Sequence, residues 1–229
     1  SSDSSSSNAV ATARAWLQKM KHESGLSESV SNSNYSLRQS RISTFSCNAI
    51  LRALANSNGG ANRENIENIA SDILNLMIKS STSDKSLPCS PDVSTFNAFM
   101  RCFKGGNPYE NAKRAENFLA DMKRRKNFNG VKLPEPNCDS FNTVMKLWLE
   151  CATNECYDKN LELFKQFESF TTEANSDINP NKEVFLTLLQ SLSVQKDSFD
   201  HDEAQSLIEC MEHYVSLSED DEMIVDTDV

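Results

Sequence analysis

Residues 96–103, FNAFMRCF, and residues 141–149, FNTVMKLWL, share one pattern: an aromatic residue, an asparagine, and then apolar residues at helical spacing. The two asparagines, Asn97 and Asn142, lie 45 residues apart. Apolar side chains three and four positions apart fall on one face of an α-helix. The recurrence therefore predicts two equivalent helices, one in each of two repeated units.

A second recurring pattern follows these helices and predicts a partner helix in each unit. Its members are a small residue, an apolar residue four positions later and a Met three positions after that. Such a set forms one buried stripe, and the small residue allows another helix to approach closely. The sets are Ala13, Leu17, Met20; Ala70, Leu74, Met77; Ala115, Leu119, Met122; Ala204, Ile208, Met211; and the degenerate Asn160, Phe164, Phe167.

The combined pattern predicts alternating helices, A and B, in each unit. Pro-Asp or Pro-Asn dipeptides end the linkers and are expected to cap each following helix A, as at Asp92, Asn137 and Asn181. No helix pair could bury its apolar face alone, so the fold is expected to be all-α, a right-handed α-solenoid. Helices A are predicted at 44–55, 93–104, 138–151 and 182–193, and helices B at 9–22, 62–79, 108–126, 157–171 and 200–217.

Composition excludes several functional classes. None of the apolar runs in the 229 residues approaches 18, so no membrane partner is expected. The seven Cys include no C-x-x-C pair, which favours free thiols in a reducing compartment. The three His, at 22, 201 and 213, do not form a four-ligand zinc motif with the Cys, so neither a metal nor another cofactor is expected.

The net charge of −10 is unevenly distributed along the chain. Residues 196–229 carry a net charge of −11, whereas residues 97–137 carry +5. The global acidity therefore does not exclude a nucleic-acid partner for the repeats.

The sequence STFNAFMRCF, followed by ENAKRAENFLADMKRR and LPEPN, resembles a pentatricopeptide repeat, and the resemblance extends over residues 9–217. The units are 44 to 49 residues long, longer than usual for the family, with the excess in loops. The resemblance divides the chain into a disordered linker (1–8), the closing helix of a truncated repeat (9–22), repeats at 44–92, 93–137 and 138–181, a C-terminal repeat or cap (182–217), and an acidic disordered tail (218–229).

The resemblance also implies a set of RNA-binding residues. The fifth residue of a repeat and its last residue read one base together, the first pair favouring U and the other two favouring pyrimidines. An aromatic at the second position, Phe45, is expected to stack on a base. A lone Asn near a helix start is equally typical of local capping. The expected reading pairs are Asn48 with Asp92, Asn97 with Asn137, and Asn142 with Asn181; the expected phosphate contacts are Lys123, Arg124, Arg125 and Lys126.

Two functions are compatible with these features. The first is a single-stranded RNA-binding module for RNA processing, stability or translation in a mitochondrion or chloroplast, the location that the resemblance implies. The alternative is a protein-binding scaffold, either an assembly component of an organellar ribosome or other ribonucleoprotein or an adaptor like the tetratricopeptide-repeat proteins. Acidic residues at second positions, Asp139 and Glu183, favour it. An enzyme is not expected, because the sequence has no phosphate loop and no nucleophile beside a base.

Overall fold

The structure, a computed structural model, describes residues 2–23, 42–57, 63–82, 89–153, 155–173, 179–194 and 201–223. Nine α-helices and one short hairpin form this part of the chain, and the prediction of an all-α class is confirmed. The elements are α1 Ser2–Glu23, α2 Thr44–Asn56, α3 Arg63–Thr82, α4 Val93–Met100, α5 Pro108–Lys123, β1 Asn127–Phe128, β2 Val131–Lys132, α6 Cys138–Leu149, α7 Cys156–Glu173, α8 Lys182–Val194 and α9 His201–Met223.

The chain forms two compact units, residues 1–135 and residues 136–229. In the first unit α2 packs against α1, α3 and α4, and α1 also packs against α3. In the second unit α6, α7 and α8 pack against one another, and α9 packs against α8. Each unit buries the apolar stripes of its own helices, including Met20, Met77 and Met122 in the first and Phe164 and Phe167 in the second.

The predicted helix starts are confirmed where polar residues cap them. The side chains of Asp92 and Asn137 accept hydrogen bonds from the third backbone N–H of α4 and α6. Asn181 accepts one from the N–H of Val184 at 3.2 Å. Asn107 caps α5, which has Pro108 as its first residue. These bonds satisfy N–H groups that a helix cannot pair within itself.

The long loop after α5 contains an unpredicted antiparallel hairpin, β1 and β2. Asn129 and Gly130 form its turn with φ of 49° and 91°. Two successive positive φ angles match the twist of a two-residue hairpin, and Asn-Gly is the sequence best suited to them. The hairpin brings Phe128 into ring contact with Phe118, their centroids 5.4 Å apart.

Two predicted helix ends are wrong because the chain there adopts specific turns. Helix α5 ends at Lys123 rather than residue 126, since Arg125 has a φ of 49°. The N–H of Arg125 donates to the carbonyl of Met122, and that of Lys126 to the carbonyl of Asp121. This bond pair is the Schellman motif, which ends helices. Helix α4 ends at Met100, four residues before the predicted 104, in a turn closed by hydrogen bonds from Cys102 and Phe103.

The predicted disorder at both chain ends is also corrected in part. Helix α1 begins at Ser2, within the segment 1–8 expected to be a linker. Helix α9 continues to Met223, so residues 218–223 are helical rather than disordered. Neither segment contains Gly or Pro to stop a helix that a neighbouring amphipathic turn has already nucleated. Residues 224–229 lie outside the described part of the chain.

Candidate nucleic-acid interface

Asn48 joins two helices of the first unit through its side-chain amide. It is the fifth residue of α2 and is 5% exposed. Its Nδ2 donates to Oδ1 of Asp92 at 3.1 Å, and its Oδ1 accepts from the hydroxyl of Thr95 at 2.7 Å. The predicted pair of Asn48 and Asp92, separated by 44 residues in sequence, is therefore brought into direct contact.

Asp92 is held by several hydrogen bonds at the start of α4. Burial raises its pKa, but bonds from the backbone N–H of Thr95, the amide of Asn48 and the hydroxyl of Thr95 outweigh that effect. The pKa of Asp92 is consequently below its usual value, and the carboxylate is ionised at neutral pH. Its side chain also remains open to solvent, so a ligand can approach the pair from that edge.

Asn142 makes a second amide bridge in the other unit, but with different partners. It is the fifth residue of α6 and is 1% exposed. Its Nδ2 donates to Oε2 of Glu183 at 3.2 Å, and its Oδ1 accepts from the hydroxyl of Thr187 at 2.9 Å. Asn142 is thus bonded to the second and sixth residues of α8. Among the described hydrogen bonds, none joins it to its predicted partner Asn181.

A lysine occupies the solvent side of this second bridge. Nζ of Lys146 lies 2.6 Å from the same Oε2 of Glu183 that accepts from Asn142. The positive charge of Lys146 therefore lies next to the carboxylate of Glu183, the same group that accepts from Asn142. The second bridge therefore joins Asn142, Glu183 and Lys146 in one hydrogen-bonded group whose carboxylate remains exposed.

The other predicted reading residues have mixed positions. Asn97, the fifth residue of α4, is 6% exposed. Asn137 lies at the N-cap of α6, where its Oδ1 accepts from the N–H and the hydroxyl of Ser140 at 3.1 and 3.0 Å. Asn181 is exposed at the N-cap of α8. Asn97 belongs to the first unit and Asn137 to the second. The position of each is therefore given relative to its own unit.

Phe45 is the most exposed large apolar side chain of the described residues, with 79% of its surface open to solvent. It is the second residue of α2, three positions before Asn48, so the two lie on neighbouring parts of one helix face. At the fifth position of α8, Leu186 replaces the recurring Asn and is 42% exposed. Leu186 has no group that can read a base edge.

The predicted phosphate contacts lie at the C-terminal end of α5. Arg124, Arg125 and Lys126 are exposed, and Lys123 is half-buried. Nζ of Lys126 lies 2.6 Å from Oδ1 of Asp121, which compensates part of the positive charge. The cluster also suits the negative end of the helix dipole.

Sequence reasoning missed the residues that surround the two amides. Thr95, Thr187 and Lys146 were not singled out, and Glu183 was considered only as a repulsive charge. Their signal was available in part: Asp92-x-x-Thr95 is a capping box, which places a hydroxyl beside the N-cap. The hydrogen bond from Thr187 has no such local signature, because it depends on packing between α6 and α8.

Two other features of the described residues bear on ligands. Within these residues, no cluster of three or more His, Cys, Asp or Glu could hold a metal ion. Of the helices in the same ranges, none is both long and apolar enough to span a membrane. No family model, curated protein or solved structure matches the chain.

Proposed function

We propose that the protein is a single-stranded RNA-binding module of the pentatricopeptide type, acting in RNA processing, stability or translation in a mitochondrion or chloroplast. In this proposal its reading site lies in the first unit and consists of Phe45, Asn48 and Asp92. The observation that carries it is the 3.1 Å contact between Asn48 and Asp92, the two residues that the resemblance assigns to one base.

The chemistry of this pair suits the edge of uracil. A side-chain amide has two N–H donors and an oxygen with two lone pairs. In Asn48 one N–H donates to Asp92, and one lone pair of the oxygen accepts from Thr95. The remaining capacity matches the acceptor and donor that uracil presents side by side on its Watson–Crick edge. Asp92 fixes the orientation of the amide, which lowers the entropy cost of recognition.

Phe45 supplies the second element of the site. An unpaired base exposes its flat face, and an exposed aromatic ring provides a stacking partner for it. A single exposed Phe is common on protein surfaces, so its 79% exposure makes the ring available to a base without by itself requiring one. The cations at 123–126 would add sequence-independent phosphate contacts.

The proposal extends to the architecture. Each unit packs one helix A directly beside the next, α2 beside α4 and α6 beside α8. Such side-by-side packing within each unit is compatible with the α-solenoid that we propose, and its right-handed sense is what the family resemblance implies.

A second candidate function, a protein-binding scaffold, is favoured by the second unit. There the Asn142 amide is bonded to Glu183 and Thr187, and under this alternative it serves packing between α6 and α8. An exposed carboxylate at the second position of α8 disfavours phosphate nearby. Under this alternative the exposed Phe45 would contact a protein partner.

Binding to short RNA strands tests the proposal. The full chain is titrated into fluorescent eight-nucleotide strands of U, C or A at several salt concentrations, and anisotropy is measured. We expect the U strand to bind most tightly, with affinity falling as salt rises. Phe45→Ala should weaken binding about 10-fold, the typical value of one lost base-stacking contact.

Leu186→Ala is the matched control, because it also removes an exposed apolar side chain but lies outside the proposed site. It should bind RNA as the parent does. Parental binding by Phe45→Ala would reject the assigned stacking role. No binding of the U strand at low salt, or an affinity that does not depend on salt, would reject the RNA function and leave the scaffold alternative.

A further inference from the structure

A groove of about 460 Å³ lies in the first unit, where three elements of the chain meet. The last turn of α1 contributes Lys21 to its lining, and the turn of the hairpin contributes Asn129. Helix α3 supplies the remaining wall with residues between 72 and 79. The volume falls within the range of about 300–1,000 Å³ that small-ligand sites occupy.

Two polar contacts connect the walls of this groove. Nδ2 of Asn129 donates to Oδ1 of Asn75 at 2.9 Å, which joins the hairpin turn to α3. Nζ of Lys21 lies 3.9 Å from Oδ2 of Asp72, which joins the end of α1 to α3. Residues three apart on a helix share one face, so Asp72 and Asn75 both belong to the wall that α3 presents to the groove.

These contacts leave hydrogen-bond donors for a ligand. A side-chain amide has two N–H donors. The bond between the two asparagines uses one donor of Asn129 and none of Asn75. Among the described residues, none accepts from the other three amide N–H groups. They are therefore available to an acceptor that enters the groove.

The charges of the groove favour an anion. Its lining has two cations, Lys21 and Lys79, and one carboxylate, Asp72, and all three side chains are exposed. A divalent cation would be repelled by the two ammonium groups and would find a single carboxylate where such ions need several oxygen ligands. The apolar lining residues, Leu76 and Ile78, are buried and offer little surface to an apolar ligand.

We propose that this groove binds a phosphate group. Phosphate oxygens accept several hydrogen bonds at once, and lysine binds them as a point charge. Lys21 and Lys79 balance the charge, and the amides of Asn75 and Asn129 donate to the oxygens. The phosphate belongs either to a free nucleotide or to the backbone of an RNA strand. The site goes beyond the proposed base-reading function and contains none of its residues, so the two can fail separately.

Nuclear magnetic resonance on the isotope-labelled full chain tests the site. The chain is titrated at constant ionic strength with inorganic phosphate, with uridine 5′-monophosphate and with uridine. We expect the backbone N–H of Gly130 and the side-chain amides of Asn75 and Asn129 to shift with both phosphate compounds and not with uridine. The N–H of Gly106, in the loop between α4 and α5 of the same unit, should not shift.

Charge variants separate a specific phosphate site from general attraction to a cation. Lys79→Gln should weaken binding of the monophosphate about 10-fold, whereas Lys79→Arg should retain most of it. Asp72→Asn should strengthen binding about five-fold, the effect in water of removing a repelling charge about 4 Å away. Lys132→Gln is the matched control, because Lys132 is also an exposed lysine of the first unit but lies outside the groove. It should bind within about two-fold of the parent.

The eight-nucleotide U strand identifies the source of the phosphate. A loss of its affinity in Lys79→Gln would assign the groove to the RNA backbone, and an unchanged affinity would assign it to a free nucleotide. Three results would overturn the inference: no shift with either phosphate compound, equal shifts with uridine, or equal weakening in Lys79→Gln and Lys132→Gln.

Discussion

The two amide bridges use the same residue at the same helix position and yet hold different partners. In the first unit Asn48 contacts the N-cap residue of α4, Asp92, and its third residue, Thr95. In the second, Asn142 contacts the second and sixth residues of α8, Glu183 and Thr187.

The cause of this difference lies in the helix that receives the amide. Helix α4 has a hydroxyl at its third position, whereas α8 has Val184 there, which offers none. The amide oxygen of Asn142 instead accepts from the hydroxyl of Thr187, about one turn further along α8. Its NH₂ donates to the carboxylate of Glu183, which also pairs with Lys146. A recurring Asn therefore does not by itself define a recurring site.

The largest effect on stability is expected from Asn142→Ala. This change removes two hydrogen bonds from a residue that is 1% exposed, so the free energy of unfolding should fall by about 2–3 kcal/mol. Urea unfolding followed by the fluorescence of Trp148, in a Trp16→Phe background, reports on the second unit alone. The exposed Gln190→Ala serves as control and should change stability by less than about 0.5 kcal/mol. If Asn142→Ala lowered the free energy of unfolding by no more than the control does, the assigned role would be contradicted.

Asn48→Ala should destabilise its unit less, by about 1 kcal/mol. The hydroxyl of Thr95 retains Asp92 as an acceptor at 2.9 Å, and the exposed carboxylate can be hydrated when the amide is gone. Unfolding followed by Trp16 in a Trp148→Phe background measures the effect. A loss equal to that of Asn142→Ala would show that the two bridges are equivalent after all.

Most of the fold could be predicted from sequence because its signals are local. The i, i+4, i+7 stripes and the capping residues place every helix that the structure describes, and the stripe residues of the first unit are buried as expected. The hairpin was not predicted, although Asn129-Gly130 is a typical sequence for its turn. Strands of two residues are too short to show the alternation of apolar and polar side chains by which strands are recognised.

The candidate site was less predictable because it depends on contacts between helices. The family resemblance pairs Asn48 with Asp92, and in the structure their side chains are hydrogen-bonded. Pairing of Asn142 with Glu183 could not be inferred, because it requires knowing how far α8 is shifted along α6. The burial of all three recurring asparagines has the same origin.

Acid should weaken the first unit through Asp92. A carboxylate with a lowered folded-state pKa contributes stability above its unfolded pKa, which is near 4, and loses it as pH falls through the lower folded value. Unfolding of the Trp148→Phe protein, measured between pH 6 and pH 3, should show this loss below about pH 4. In Asp92→Asn that part of the acid dependence should be absent. An unchanged pH profile would mean that the carboxylate contributes nothing.

The smallest effects are expected at two helix ends, one in each unit. Arg125 and Ala152 both have a φ of 49°, a conformation that costs a residue with a Cβ more than it costs Gly. Arg125→Gly and Ala152→Gly should each raise the free energy of unfolding by about 0.5–1 kcal/mol. Asn129→Gly should gain less, because Asn tolerates this region better and because its Nδ2 also donates to Oδ1 of Asn75 at 2.9 Å. Destabilisation of both helix-end variants would refute the strain argument.

The central claim, that the first amide bridge reads a base and the second only stabilises packing, is tested most directly by RNA affinity. The dissociation constant for the eight-nucleotide U strand is measured for the parent, Asn48→Ala and Asn142→Ala, at a temperature where circular dichroism shows all three folded. Asn48→Ala should bind about 10-fold more weakly, as expected for one lost base-edge contact, while Asn142→Ala should stay within about 2-fold of the parent. Equal weakening in both variants, or parental affinity in Asn48→Ala, would contradict the claim.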